Sequence, residues 1–196
     1  DEDLTLTLAS PVNAVIGARG TGALRIADND GPPSLSVGDA AAAEGDGGTA
    51  TLDFTVSLSR ESGVAVSVDF ATADDTAVAG VDYTAAGPAS LSFAPGETTQ
   101  TVSVSVTGDV LDEPDAAFFL DLSNPVNAGV ARSRGVGTIT DDDDPPTVAI
   151  GDAAVTEGAA GTSAAADFDV VLSGPSGKPV SVQYATTDGD AVAAEG

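Results

Sequence analysis

The 196 residues carry 31 acidic and 6 basic side chains, a formal charge of −25, and contain no Cys, His, Met or Trp. Nucleic acid and anionic lipid are poor partners for such a chain, since both are held by clustered Lys and Arg, whereas cations or a very salty medium are natural complements. The missing residue types exclude a disulfide staple, a thiolate or HExxH metal site and a Ser-His-Asp triad, and no stretch approaches the roughly 18 apolar residues of a membrane-spanning helix.

Acidity alone would suggest disorder, but 42% of the residues are hydrophobic and fall in alternating runs that can bury a core. The chain starts at Asp1 without a basic or apolar leader and reads as an interior slice of something longer. Its first segment carries LTLASPVNA (residues 6–14), which returns as LDLSNPVNA (120–128), and Asp28-Asn29-Asp30-Gly31-Pro32-Pro33, which returns as Asp141-Asp142-Asp143-Asp144-Pro145-Pro146. Gly38-Asp39-Ala40-Ala41 and Glu44-Gly45 come back as Gly151-Asp152-Ala153-Ala154 and Glu157-Gly158, each displaced by 113, and SVDFAT (67–72) comes back as SVQYAT (181–186) after a one-residue insertion. A repeat of this length is a domain. Residues 31–144 are therefore expected to form one complete repeat, 1–30 the tail of a preceding one and 145–196 the head of a following one.

Within the complete repeat the tract Ala40–Ala43, bracketed by Gly38 and Gly45, is too short for a helix and is expected to be a strand edge or bulge. Strands with one buried face follow from period-two alternation: Leu52, Phe54, Val56 and Leu58; then Val64, Val66, Val68 and Phe70; then Val102, Val104 and Val106; then Phe118, Leu120 and Leu122. Ala94-Pro95-Gly96-Glu97 and Ser123-Asn124-Pro125 read as turns. Six or seven strands in this length predict an all-β fold, an antiparallel immunoglobulin-like β-sandwich, repeated in tandem.

Carboxylates are the plentiful reactive groups, and Ca²⁺, which takes six to eight hard oxygen ligands from flexible loops, is the ion they suit. They cluster after strands: Asp74, Asp75 and Asp82; Asp109, Asp112, Glu113 and Asp115; Asp141 to Asp144. Strand ends of a sandwich gather at two poles, so such clusters can meet, although periodicity does not say at which pole. Asp53, Asp69 and Asp121 alternate with core residues and belong to the wet faces of strands. A glycosidase pair of carboxylates would need an aromatic-lined cleft, and aromatics are only 4% of the chain, so no catalytic activity is expected.

The order T-x-D-x-T-A-x-x-G-x-D-Y (Thr72 to Tyr83), F-x-P-G-E (Phe93 to Glu97), D-x-x-x-E (Asp109 to Glu113) ahead of Phe118-Phe119, and a closing I-x-D-D-D resembles the Calx-beta domain, a module of sodium/calcium exchangers and of long arrays in bacterial surface and secreted proteins. The resemblance covers the complete repeat and both flanking pieces. It implies a calcium site at Glu44, Asp82, Asp109, Glu113, Asp141, Asp142 and Asp143, with Asp28 and Asp30 as the matching residues of the preceding piece and Glu157 that of the following one. Two positions depart from the family pattern: Ala116 stands where the last Glu of D-x-x-x-E-x-x-E is expected, and Gly108 precedes Asp109 where richer sites carry another Asp, which implies fewer ions or weaker binding. Asp112, Asp115 and Asp144 are expected to be solvated.

These observations lead to a non-catalytic, calcium-binding structural or adhesive module of an extracellular or cell-surface protein, with Ca²⁺ rigidifying the short Asp-Pro-Pro junctions between repeats. Its partners would be calcium ions, neighbouring repeats and other copies in a filament or matrix, with no nucleic acid and no membrane insertion. Two alternatives stay open: an acidic structural array of a halophilic type with no specific metal site, and a filament subunit whose partial end repeats share strands between molecules.

Overall fold

The structure, a computed structural model, describes residues 2–189. Among them every regular element is a strand: β1 Glu2–Thr7, β2 Thr21–Ile26, β3 Ser34–Val37, β4 Ala40–Ala43, β5 Gly48–Leu58, β6 Val66–Asp74, β7 Ala89–Phe93, β8 Thr99–Gly108, β9 Ala116–Val126, β10 Gly129–Arg132, β11 Arg134–Thr140, β12 Val148–Ile150 and β13 Val170–Leu172.

Strands β3 to β11 form a two-layer sandwich, with the order β10-β3-β5-β8 in one sheet and β4-β11-β9-β6-β7 in the other. The alternating residues close on each other as their period requires: Leu52, Phe54, Val56, Val68, Val104, Val106, Phe118 and Leu120 are fully or almost fully buried, while Asp53, Thr55 and Ser103 on the same strands face water. At roughly 1.5–3 kcal/mol for each large apolar side chain withdrawn from water, this row is the main stabilising term. Gly137 of β11 belongs to the same packing, because a Cβ there would fall 2.8 Å from both the Phe54 and the Phe118 ring.

The sandwich contains more strands than the alternation predicts, and the cause is local. Two stretches each change sheets midway: the chain leaves one sheet after β3 and joins the other as β4, and it does the same between β10 and β11. The two stretches run side by side, so β3 pairs with β10 and β4 with β11 in parallel, in a sandwich whose other pairings are antiparallel. Asp39 holds the crossing, accepting from the Val136 amide at 2.8 Å and from the Arg132 guanidinium. The alanine tract is thus an edge strand.

Two local expectations are corrected. Val64 is 56% exposed and precedes β6, because the Ser62 hydroxyl donates to the Val64 carbonyl and accepts from its amide, forming a tight turn. Ser123-Asn124-Pro125 does not reverse the chain; β9 runs through it with a register shift against β6 at Ser67/Asp69, and Asn124 takes φ 49°. Asn tolerates the left-handed region that such a bulge demands.

Outside the sandwich stand two hairpins that repeat its pairings. In β1–β2, Leu6 faces Gly22 as Leu120 faces Gly135 in β9–β11. In β12–β13, Val148 faces Leu172 as Leu35 faces Leu58 in β3–β5.

Candidate metal centre

The register of the parallel pair β4–β11 builds the centre. Ala43 lies beside Thr140, so the next residue on each strand, Glu44 and Asp141, leave the sheet together. The Glu44 amide donates to the Thr140 carbonyl at 3.2 Å, and the Gly45 amide donates to Asp142 Oδ1 at 2.9 Å. Residues about a hundred apart in sequence are thereby fixed at one pole.

Gly108 explains part of that closeness. A Cβ at this position would lie 2.1 Å from the Gly45 carbonyl oxygen and 2.4 Å from that of Glu44, so the end of β8 accepts only glycine while the Glu44-Gly45 backbone rests on it. The departure from the family pattern at Gly108 is therefore a packing requirement of this site. Asp109 follows directly and accepts from the Leu111 amide at 2.7 Å.

Asp82 reaches the same pole through its neighbour. The Tyr83 ring is buried, stacked on Phe118 with centroids 4.2 Å apart, and its hydroxyl donates to Asp74 Oδ1 at 2.6 Å. The Asp82 carbonyl accepts from the Thr107 amide at 2.8 Å, which ties it to the end of β8, while Asp82 Oδ2 caps the Val78 amide at 2.7 Å.

Among the described residues, Glu44, Asp141 and Asp143 are the group of carboxylates that can hold one ion, each offering an oxygen within 4.8 Å of the others. That spacing suits Ca²⁺, whose ligands lie at about 2.3–2.6 Å from the ion. Asp141 Oδ1 and Asp143 Oδ2 are buried and have no hydrogen-bond partner. A buried carboxylate oxygen without a donor is costly unless a cation faces it, so the donor set fits a hard divalent ion.

The electrostatics agree. Glu44 is pushed up to about 7 by burial and then by the charges of Asp109, Asp141, Glu113 and Asp143. Glu113 is raised by burial and by Asp109, Asp82 and Asp141, and Asp143 by burial and by Asp46, Asp141 and Asp142. Asp141 is the exception: burial raises its carboxyl, but the hydrogen bond from Lys178 and further donors outweigh that and hold it low.

Asp28, Asp30 and Glu157 are exposed and join no such group among the described residues; Asp30 lies 3.9 Å from Arg60. Asp144 is exposed. Two residues depart from the expectation of plain solvation. Asp112 is only 7% exposed and accepts from Lys178 Nζ at 2.5 Å, and Asp115 Oδ1 accepts from the Asp141 amide at 3.2 Å. Lys178 itself went unnoticed in the sequence, although it is the chain's single lysine.

Two crystal structures are similar to the chain: CBD12 from CALX1.2, with 27% identity and a TM-score of 0.50, covering 61% of this chain and 48% of that one, and the calcium binding domain CBD12 of CALX1.1, with 26% identity and a TM-score of 0.50, covering 64% and 53%. The chain thus spans about half the length of each. No curated protein matches it at a significant level. The family model described as the Calx-beta domain matches residues 28–143 and again 141–196, and the chain belongs to the Calx-beta family.

Proposed function

We propose that this chain is a non-catalytic calcium-binding module from a tandem array, in which residues 31–144 are a complete repeat flanked by the end of one repeat (1–30) and the start of another (145–196). The observation that carries the calcium reading is the pair of buried, partnerless oxygens on Asp141 and Asp143 facing Glu44, in a molecule with few cations of its own. Ca²⁺ would be held by these three carboxylates, with Asp82, Asp109, Glu113 and Asp142 supplying the surrounding negative field or further oxygens. The repeated hairpin registers support the division into repeats.

The triplet Asp141 to Asp143 runs straight into Asp144-Pro145-Pro146, so an ion at this pole restrains the first bonds of the junction, and the prolines, with φ fixed, limit the rest. An extracellular or cell-surface role, structural or adhesive, is the setting that such calcium-stiffened arrays fit.

Thermal melts in chelator and then in millimolar Ca²⁺ at fixed ionic strength test the reading. Stabilisation by Ca²⁺ that Asp143→Asn removes is the expected result. Stability that responds only to molar NaCl or KCl would replace the calcium site with a halophilic acidic surface. The hairpin β1–β2 exposes Leu4, Leu6, Leu24 and Ile26, a face suited to strand sharing between copies; a concentration-independent monomer in sedimentation would dismiss a filament built that way.

A further inference from the structure

Lys178 lies in the segment after β13, on the following repeat, yet its ammonium sits on the acidic pole of the complete one. Its Nζ is 2.5 Å from Asp112 Oδ1 and 3.0 Å from Asp141 Oδ2. The rest of the loop is shaped to that surface. The Gly177 amide donates to the Asp112 carbonyl at 3.0 Å, and a Cβ on Gly177 would lie 2.6 Å from Glu113 Cγ, so the bare glycine leaves the Glu113 side chain in place. Ser176 closes a tight turn, accepting from the Lys178 amide and donating to the Lys178 carbonyl, both at 3.1 Å.

The complete repeat makes the same turn at Ser62-Gly63-Val64, where Ser62 bonds the amide and carbonyl of Val64. That turn also faces the end of the preceding piece, bordering a cavity of about 340 Å³ with Asp28, Asp30 and Pro32. The turn is thus a recurring element set against the aspartate-rich end of the repeat before it. What differs is how a cation reaches that end: at one junction Arg60, just before the turn, lies 3.9 Å from Asp30, while at the other Lys178 stands in place of Val64 as the turn's third residue.

We infer that Lys178 is a tethered cation that docks the following repeat on the acidic pole without metal and takes the place of one ion there. Asp141 is divided between the two cations: Oδ2 is used by Lys178, while Oδ1 is the buried atom left for an ion beside Glu44 and Asp143. The docking stands on the contacts alone; the effect on ions rests on the calcium reading above. By reciprocity, a positive charge that lowers the negative potential of the pole lowers its calcium affinity, and calcium weakens the lysine contact by the same factor.

The test uses the full chain with Lys178→Gln, a neutral side chain of similar reach. Because the sequence has no cysteine, spin labels can be placed at Thr55→Cys and Ser163→Cys, both exposed. In chelator, a narrow distance distribution in the parent that broadens with Lys178→Gln, and likewise with Asp112→Asn, is expected. An unchanged distribution in both variants overturns the docking. Calorimetric Ca²⁺ titration at low salt should show roughly three- to tenfold tighter binding, or one additional ion, in Lys178→Gln. Unchanged affinity and stoichiometry overturn the competition. If neither protein binds Ca²⁺, the calcium reading fails while the distance measurement still decides the docking.

Discussion

Glu44→Gln is predicted to change sign with calcium. In the metal-free protein the Glu44 carboxyl is pushed up from 4.5 to about 7, first by burial and then by Asp109, Asp141, Glu113 and Asp143. Above pH 7 the ionised form therefore opposes folding, by up to about 3 kcal/mol at 1.36 kcal/mol per tenfold shift; partial exposure and salt reduce this to roughly 1–2 kcal/mol. A neutral amide of the same shape removes that repulsion. At pH 7.5 in chelator, Glu44→Gln should therefore be more stable than the parent by about 1–2 kcal/mol, a rise in melting temperature of several degrees for a domain of this size. In calcium the order reverses. A ligand at a hundred times its dissociation constant adds about 2.7 kcal/mol, and the variant, short of one carboxylate, gains less. Differential scanning calorimetry in both conditions reads the crossing. A variant less stable than the parent in chelator would show that Glu44 is a structural acceptor rather than a repelled carboxylate, and an identical calcium gain in both proteins would remove Glu44 from the site.

The pH dependence of the metal-free protein follows from the same groups. Folded-state values raised for Glu44, Glu113 and Asp143 mean that their contribution to stability is full below the unfolded carboxylate range and is lost as pH rises, for Glu44 between 4.5 and about 7. Urea unfolding in chelator should therefore show a falling midpoint from pH 5 to 7.5, and saturating Ca²⁺ should flatten it. Gly108→Ala should cost about 1–3 kcal/mol through the clash with the Glu44-Gly45 backbone, and it should diminish the calcium response as well, read by melts with and without the ion. Tyr83→Phe should cost about 1 kcal/mol for the lost bond to Asp74; a change in calcium affinity measured alongside would report how far Tyr83 holds Asp82 in place.

The sequence by itself determined the all-β class, the buried face of each long strand and the order of the acidic clusters, because a period of two needs only local backbone geometry to be read. It also carried the motifs by which the Calx-beta family is recognised. It did not carry the strand crossings at Asp39 and Ser133, since a residue changes sheets without changing its alternation. Nor did it show which carboxylates meet. Glu44 and Asp141 are neighbours because Ala43 lies beside Thr140 in a parallel pairing, and a one-residue slip in that register would separate them. Asp112 looked like an ordinary surface aspartate because its partner, Lys178, lies 66 residues away, beyond the last strand of the sandwich. Long-range pairing, set by packing between segments distant in sequence, is what turns a run of acids into a site, and only the tertiary structure decides it.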